Sequence, residues 1–530
     1  MPLSTHSKPD SRASEDVERN QSLDGHSTSD GETDAARIER LGRQRPEKLD
    51  SMWKEVGFVF SITVSQLLSE YFISGFTLLL PTVTVALDIP EASSTWPASA
   101  FSLVISSFLI PFGRLADIYG GFPVYIAGCV WYCAWSIIAG FAQNELMLDM
   151  CRALQGLGPA AYLPAGLQLL GSMYRPGPRK NMVFSIYGAM APFGFFIGLF
   201  FAGVSSQFTT WRWYFWIGAI LIALTTVIAF FTIPSDSENV ENNCVKMDWY
   251  GTITIVSGLI LVVFAITDSA HAPNGWASID ILLTFLGGLI ILGIAFWIEG
   301  WVAEQPLLPF WVFKLKFVRP FVLGLLFAYG TLGIYLLYAS FYCIRILNTT
   351  PMQLVAWYVP MAIIGIFLAI FGGAFLHILS PRILMLVTGV AIIIESVLFA
   401  LAPSNAKYWA WIFIPMIMAT VSIDIIFNVA NIFFSSTLPS RQQGFAGALS
   451  NVLLQLGIAI MLGFAEIIAS ETAYQGQRQS YQNVFWFNLA CGATALVILM
   501  AFVRIDRAKA DLTADEKELQ RRQEENPATR

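Results

Sequence analysis

LMLDMCRALQGLGPAAYLPAGLQLLG, residues Leu146 to Gly171, is long enough to cross a bilayer and yet holds an arginine. A spanning helix needs about 20 mostly apolar residues. Arg152 sits inside this one, with Gln155 one turn further on. A charge at that depth costs about 3 kcal/mol even on insertion scales, so it belongs in a bundle interior or a wet cavity rather than against lipid. Gly156, Gly158, Ala160 and Ala161 let a neighbouring helix come close. The stretch reads as a transport helix with a working charge.

The rest of the chain supports that reading. Of 530 residues, 55% are hydrophobic, 14% aromatic and 13% charged. Residues 1–54 and 505–530 hold 15 of the 31 basic and 18 of the 37 acidic residues. A body so depleted in charge is an all-α polytopic membrane protein, not a soluble fold. The net charge of −6 says little about partners, since both signs mix in each tail. The six cysteines show no disulfide or metal-ligand spacing and read as small packing residues. The N-terminus is polar and has no early apolar run, so neither a cleaved signal peptide nor an ordered tail is expected.

Hydropathy predicts fourteen spans, at 56–80, 96–115, 122–143, 147–171, 183–204, 213–233, 250–269, 279–298, 319–341, 353–376, 383–403, 409–435, 444–469 and 483–503. Loops on the side of the termini, with their helix ends, carry ten basic residues. The other side carries four: Arg212, Arg345, Lys407 and Arg478. By the positive-inside rule both termini are expected in the cytosol. GRLADIYGGFPVYIAG (113–128) after the second span has an echo in GGAFLHILSPRILMLVTG (372–389) after the tenth. The tenth is then the second span of a later set of six, and spans seven and eight are an inserted pair. Repeats of this kind build many secondary transporters, with the site between the halves. The expected organisation is a disordered cytosolic tail (1–54), a six-helix half (55–234), the inserted pair with its linker (235–317), a second half (318–504) and a charged cytosolic tail (505–530).

No glycine loop ending in Lys-Ser/Thr, no HExxH and no GxSxG is present. An enzyme and an ATP-driven pump are therefore disfavoured, no cofactor or metal is expected, and an ion gradient is the expected energy source. The four histidines (His6, His26, His271 and His377) fall in tails or loops. Four ionisable residues lie well inside spans: Glu70, Arg152, Glu395 and Asp424. Glu70 has Gln66 on the same face and reads as a proton site or a contact for polar cargo; the plainer alternative is a neutral packed carboxyl. Asp424, Asn428 and Asn431 form a polar stripe, a cavity lining or else helix–helix glue. Glu395 lacks polar neighbours and reads as a buried neutral carboxyl. Asp268, Glu299 and Glu466 lie near span ends, where a side chain can reach the interface cheaply. Gly188, Pro192, Gly194, Gly198 and Gly203 make the fifth span bent and thin.

These residues resemble the major facilitator superfamily over residues 55–504. The likeness is to its fourteen-helix drug:proton antiporter branch, especially fungal members of the aminotriazole- and boron-resistance type. Gly113-Arg-Leu-Ala-Asp117 with Gly120 matches the family loop between helices two and three. Arg152-Ala-Leu-Gln155-Gly156-Leu-Gly158 matches its fourth-helix motif. The Pro192–Gly194 helix followed by Trp211-Arg-Trp213 resembles the antiporter motif, and Asp248-Trp-Tyr-Gly251 fits the fourteen-helix branch. The resemblance implies a cytosolic latch at Gly113, Arg114, Asp117 and Gly120. It implies proton coupling through Arg152, with exchange direction set around Pro192 and Gly194. The chain departs from the pattern at Ile118, Gly121 and Phe122, where more basic residues are usual, and at Ala191-Pro192, where many antiporters have Gly-Pro.

The expectation is a proton-coupled exporter of drugs, toxins or secondary metabolites. Arg152, Glu70 and Asp424 would couple protons, and Gln66, Gln155, Asn428 and Asn431 would line the cavity. The alternative is a facilitator or uptake permease for ammonium or boric acid. A membrane sensor is disfavoured by the short, polar tails. A monomer is expected, in the plasma or vacuolar membrane, with no nucleic acid partner. Asn348-Thr-Thr350 is a glycosylation sequon on an outer loop.

Overall fold

The computed structural model describes residues 44–503 except 47, 91–94, 175–177, 235–245, 271, 273–274, 309 and 438–442. Most of both tails, Arg175, Cys244, His271 and Arg441 lie outside the described residues. Fourteen long helices are found among them. They are α1 (Met52–Ala86), α2 (Trp96–Tyr119), α3 (Gly121–Ala139), α4 (Glu145–Met173), α5 (Pro178–Phe208), α6 (Trp211–Thr232), α7 (Trp249–Asp268), α8 (Ile279–Trp297), α9 (Val318–Phe341), α10 (Pro351–Ile378), α11 (Pro381–Ala400), α12 (Phe413–Thr437), α13 (Gln443–Glu471) and α14 (Gln477–Phe502). π-helical turns extend α8 (Ile298–Val302) and α9 (Tyr342–Ile346), and a single turn, Tyr408–Trp411, precedes α12.

Thirteen of these helices are long and apolar enough to cross a membrane. The fourteenth, α4, is 29 residues long but carries Asp149, Arg152 and Gln155, all buried. It is enclosed between α2 and α3, so protein rather than lipid meets its polar groups. At the other extreme α8 buries only Ile281, Gly288 and Ala295 and forms the rim.

The helix ends follow local chemistry. The Asn144 side chain accepts from the Met147 N–H at 2.9 Å and opens α4, and Asp248 accepts from the Gly251 N–H at 2.9 Å and opens α7. Pro381 stands in the first turn of α11, where its missing N–H costs nothing. Gly120 has φ 95°, a backbone only glycine enters freely, and turns α2 directly into α3.

Pairing within the two sets of six is the same. In the first, α1 packs on α5 and α6, α4 on α2 and α3, and α3 on α6. In the second, α9 packs on α13 and α14, α12 on α10 and α11, and α11 on α14. The sets meet through α2 against α13 and α5 against α10, which are corresponding pairs. The inserted α7–α8 hairpin leans on both α2 and α13. An even number of crossings puts the start of α1 and the end of α14 on one face, the terminal face; the opposite one is the far face.

Candidate functional site

Close packing of α5 on α1 builds the first wall. A Cβ on Gly194 would lie under 3.0 Å from the Leu67 carbonyl, and one on Gly198 equally close to that of Tyr71. The Ser74 hydroxyl bonds to the Phe195 carbonyl across the same seam at 2.7 Å. Gly188 meets nothing within 4 Å, so it takes no part in this packing. Pro192 turns outward to Gly365 of α10, at the boundary between the halves.

On that wall the Tyr187 hydroxyl donates to Gln66 Oε1 at 2.9 Å, and Gln66 Nε2 faces Glu70 Oε1 at 3.4 Å. Tyr187 was not legible as a site residue, because a tyrosine in an apolar run carries no signal of its own. Opposite, Asp424 Oδ2 lies by Gly365, is buried and has no hydrogen-bond donor. Asn428 Nδ2 donates to the Asp424 carbonyl at 2.7 Å, and Asn431 is half-buried on the same helix. Glu70 and Asp424 are close enough to interact electrostatically. Two half-buried acids, one in each half, thus lie midway along their helices within electrostatic reach, with no basic side chain ion-paired to either among the described residues.

Arg152 is elsewhere, nearer the far face, and only 1% exposed. It donates to the carbonyls of Pro97 and Phe72, each at 3.2 Å, and to Gln155 Oε1 at 2.7 Å. The rings of Phe76 and Phe101 cover it at 4.2 and 4.1 Å. Gln155, expected to line the cavity, is instead fully buried and bonds to Arg152 and Ser136. In this arrangement it acts as a strut inside the first half. A small cavity between the halves reaches Arg152, lined also by Thr77, Ser102, Leu336 and Ile458.

Above this cavity the halves are joined. The Thr95 hydroxyl and N–H bond to Glu466 of α13, and Met352 N–H donates to Gln207 Oε1 at 3.0 Å. Glu466 is 2% exposed, which corrects the expectation that it reaches the interface; Glu299 is likewise buried at 5%. The expected end position was right, but a partner 371 residues away draws Glu466 inward. Replacing Thr95 by valine should loosen this seal. With a cysteine at Ser102 on a cysteine-free background, an impermeant thiol reagent should label the variant several-fold faster from the far side, at unchanged expression.

At the terminal face Arg114, which the resemblance groups with Asp117 in a latch, reaches the inserted hairpin. It donates to the Lys246 carbonyl (3.3 Å) and Gln305 Oε1 (2.9 Å), both on the inserted hairpin, while Asp117 is half-buried beside it. Gly113 packs on Pro164 of α4. Arg179 forks onto Glu55 with bonds of 2.7 and 2.6 Å, tying α5 to α1. Burial, and then this carboxylate, push the neighbouring Tyr174 phenol up. Glu395 is buried with its Oε2 lacking a donor. Asn348 is exposed on the far-face loop, at φ 53°.

Two paired six-helix sets around a polar midplane define a membrane transporter. The Major Facilitator Superfamily profile matches residues 62–462, and the chain belongs to that family. It is 32% identical to the low affinity ammonium transporter of Saccharomyces cerevisiae, over 90% of this chain and 93% of that one. It is 30% identical to the aminotriazole resistance protein of the same yeast, with 88% of each covered. Efflux pump terJ of Aspergillus terreus is 28% identical over 88% and 90%. In fold the chain is similar to an auto-inhibited POT family peptide transporter, with a TM-score of 0.62 at 15% identity, over 87% of this chain and 99% of that one.

Proposed function

We propose that this chain is a proton-coupled antiporter that exports small organic molecules from the cytosol by alternating access. The observation that carries the reading is a pair of half-buried acids, Glu70 and Asp424, one in each half and within electrostatic reach of the other. Two carboxyls in such proximity are not both comfortable as bare anions, so a proton or a cationic cargo is the natural occupant. Competition between the two is an antiport cycle: loss of the proton admits cargo from one side, and its return from the other expels it. Gln66 and Tyr187 steady Glu70, and Asn428 and Asn431 offer amides to polar cargo. Arg152 holds the far-face seal. In this reading the terminal face is cytosolic, which puts Asn348 outside and available for glycosylation. The protein works as a monomer in the plasma membrane, with the proton gradient as its energy source and no cofactor. The names of the efflux and resistance relatives favour export.

The 32% identical ammonium transporter favours a second reading, uptake of a small nitrogenous solute on the same scaffold. Yeast cells expressing the chain, loaded with radiolabelled aminotriazole and other xenobiotics in acidic medium, separate the two. Lower steady-state accumulation than in control cells, abolished by a protonophore, is expected. Glu70→Gln and Asp424→Asn should each cut gradient-driven export about 10-fold or more, with normal surface expression. Net accumulation of methylammonium driven by the same gradient would instead establish uptake. Normal export by both variants would remove these acids from the coupling site.

A further inference from the structure

The inserted hairpin carries two acids that the transport cycle above does not use. Asp248 Oδ1 accepts from the Gly251 N–H, and its Oδ2 is buried without a donor. Glu299 Oε2 accepts from the Leu308 N–H at 3.0 Å, and its Oε1 is also buried without a donor. Glu299 is 5% exposed. Both bare oxygens lie within 3 Å of the point a Cβ on Gly251 would occupy, so they are less than 6 Å apart. Gly251, the last residue of the Asp248-Trp-Tyr-Gly251 motif, thus leaves the space into which both acids point. The helix widens into a π turn over Ile298–Val302, and this turn holds Glu299. Such turns often mark functional positions.

Arg114 of α2 lies beside the pair. It clasps both ends of the hairpin, through the Lys246 carbonyl and Gln305 Oε1, and it interacts electrostatically with Glu299. Gln305 Oε1 also accepts from the Lys246 N–H at 2.9 Å, so one amide oxygen gathers both strands. Other charges nearby are Asp117 on α2 and the exposed Lys246–Glu304 pair. The α13 contacts with α7 lie toward the far face, where Gly463 meets Thr267, and bring no charge to this end among the described residues.

We propose that Glu299, with Asp248 as its acidic neighbour across the Gly251 gap, is a proton-binding site on the inserted hairpin, whose occupancy decides whether Arg114 clasps the hairpin or turns onto the acids. With Glu299 protonated the two acids carry a single negative charge, and Arg114 stays on Lys246 and Gln305. Release of that proton to water leaves two like charges side by side. Arg114 already interacts electrostatically with Glu299, and its move onto the acids undoes the clasp between α2 and the hairpin. Since the hairpin also leans on α13, the state of this clasp is felt by both halves.

The test uses the full chain in lipid nanodiscs and needs no cargo, so its failure is distinct from failure of the export reading. Infrared difference spectra recorded against pH should contain a protonated-carboxyl band that Glu299→Gln removes and Asp248→Asn shifts. Hydrogen exchange of residues 246–251 and 303–308, corrected for intrinsic rates, should rise several-fold as the wild type is made alkaline. Glu299→Gln supplies an amide donor to Asp248 and imitates the protonated pair, so its exchange should stay flat. Gly251→Ala keeps both acids but fills the gap between them, and should shift the band if either acid variant fails to fold. Unchanged bands in the variants, or a band that sodium or magnesium abolishes at fixed pH, would overturn the proposal.

Discussion

Arg152→Ala is expected to abolish gradient-driven transport and to lower the melting temperature of the purified protein. The guanidinium joins three helices: it projects from α4, bonds to carbonyls on α1 and α2, and lies between Phe76 of α1 and Phe101 of α2. Those carbonyls sit within helices and have intrahelical donors of their own, so the arginine uses spare lone pairs. Its removal therefore leaves few orphaned acceptors. The cost is instead an emptied site of large side-chain size, about 3–5 kcal/mol, together with two cation–π contacts of about 1 kcal/mol each. Lysine is not a substitute. A point ammonium cannot serve acceptors lying in different directions in one plane, nor stack between two rings. Arg152→Lys should keep the fold but retain less than about a tenth of the transport rate, because water can follow a loosened side chain into the cavity below the seal. Rates in cells and heat denaturation in detergent check both variants. Full activity in the lysine variant would mean that only the charge matters and that the packed geometry is incidental.

The sequence carries the crossings more clearly than the contacts, for a physical reason. Lipid imposes a length and a polarity on every span, so all fourteen helices stand out as apolar runs, and Arg152 makes α4 legible through the very charge that spoils its hydropathy. What a polar group near a span end does is decided by whichever helix packs there. Glu466 and Glu299 are each compatible with reaching water, and Thr95 and the Gly251 gap, distant in sequence, turn both inward. Gln155 shows the same limit at shorter range. Its spacing from Arg152 placed them on one face, but not whether that face looks into a cavity or into the half. Arg114 shows it for a motif: the resemblance implied a latch on its own loop, while the inserted hairpin supplies the carbonyl and amide it binds.

Gly198→Val should fail to give a monodisperse folded protein, and Gly194→Val nearly so, while Gly188→Ala should be neutral or slightly stabilising. All three glycines belong to the same antiporter-like helix, so the contrast isolates what the helix does. At Gly194 and Gly198 the obstacle to a side chain is the α1 backbone itself, and at Gly75 the reverse holds, with the Gly198 carbonyl in the way. No rotamer change relieves a clash with backbone; the helices must part, and with them go the Ser74 bond to Phe195 and the Gln66–Tyr187 link that steadies Glu70. At Gly188 there is open space, and alanine recovers about 0.5–1 kcal/mol of helix propensity. Fluorescence-detected gel filtration and melting curves distinguish these outcomes. Locked together in this way, α1 and α5 can only move as one body, and Pro192 against Gly365 is where that body meets the other half. A collapsed Gly198→Val protein is the result that backbone packing demands, whereas a folded, stable one with reversed or uncoupled transport would mean that the glycines act by some means other than packing.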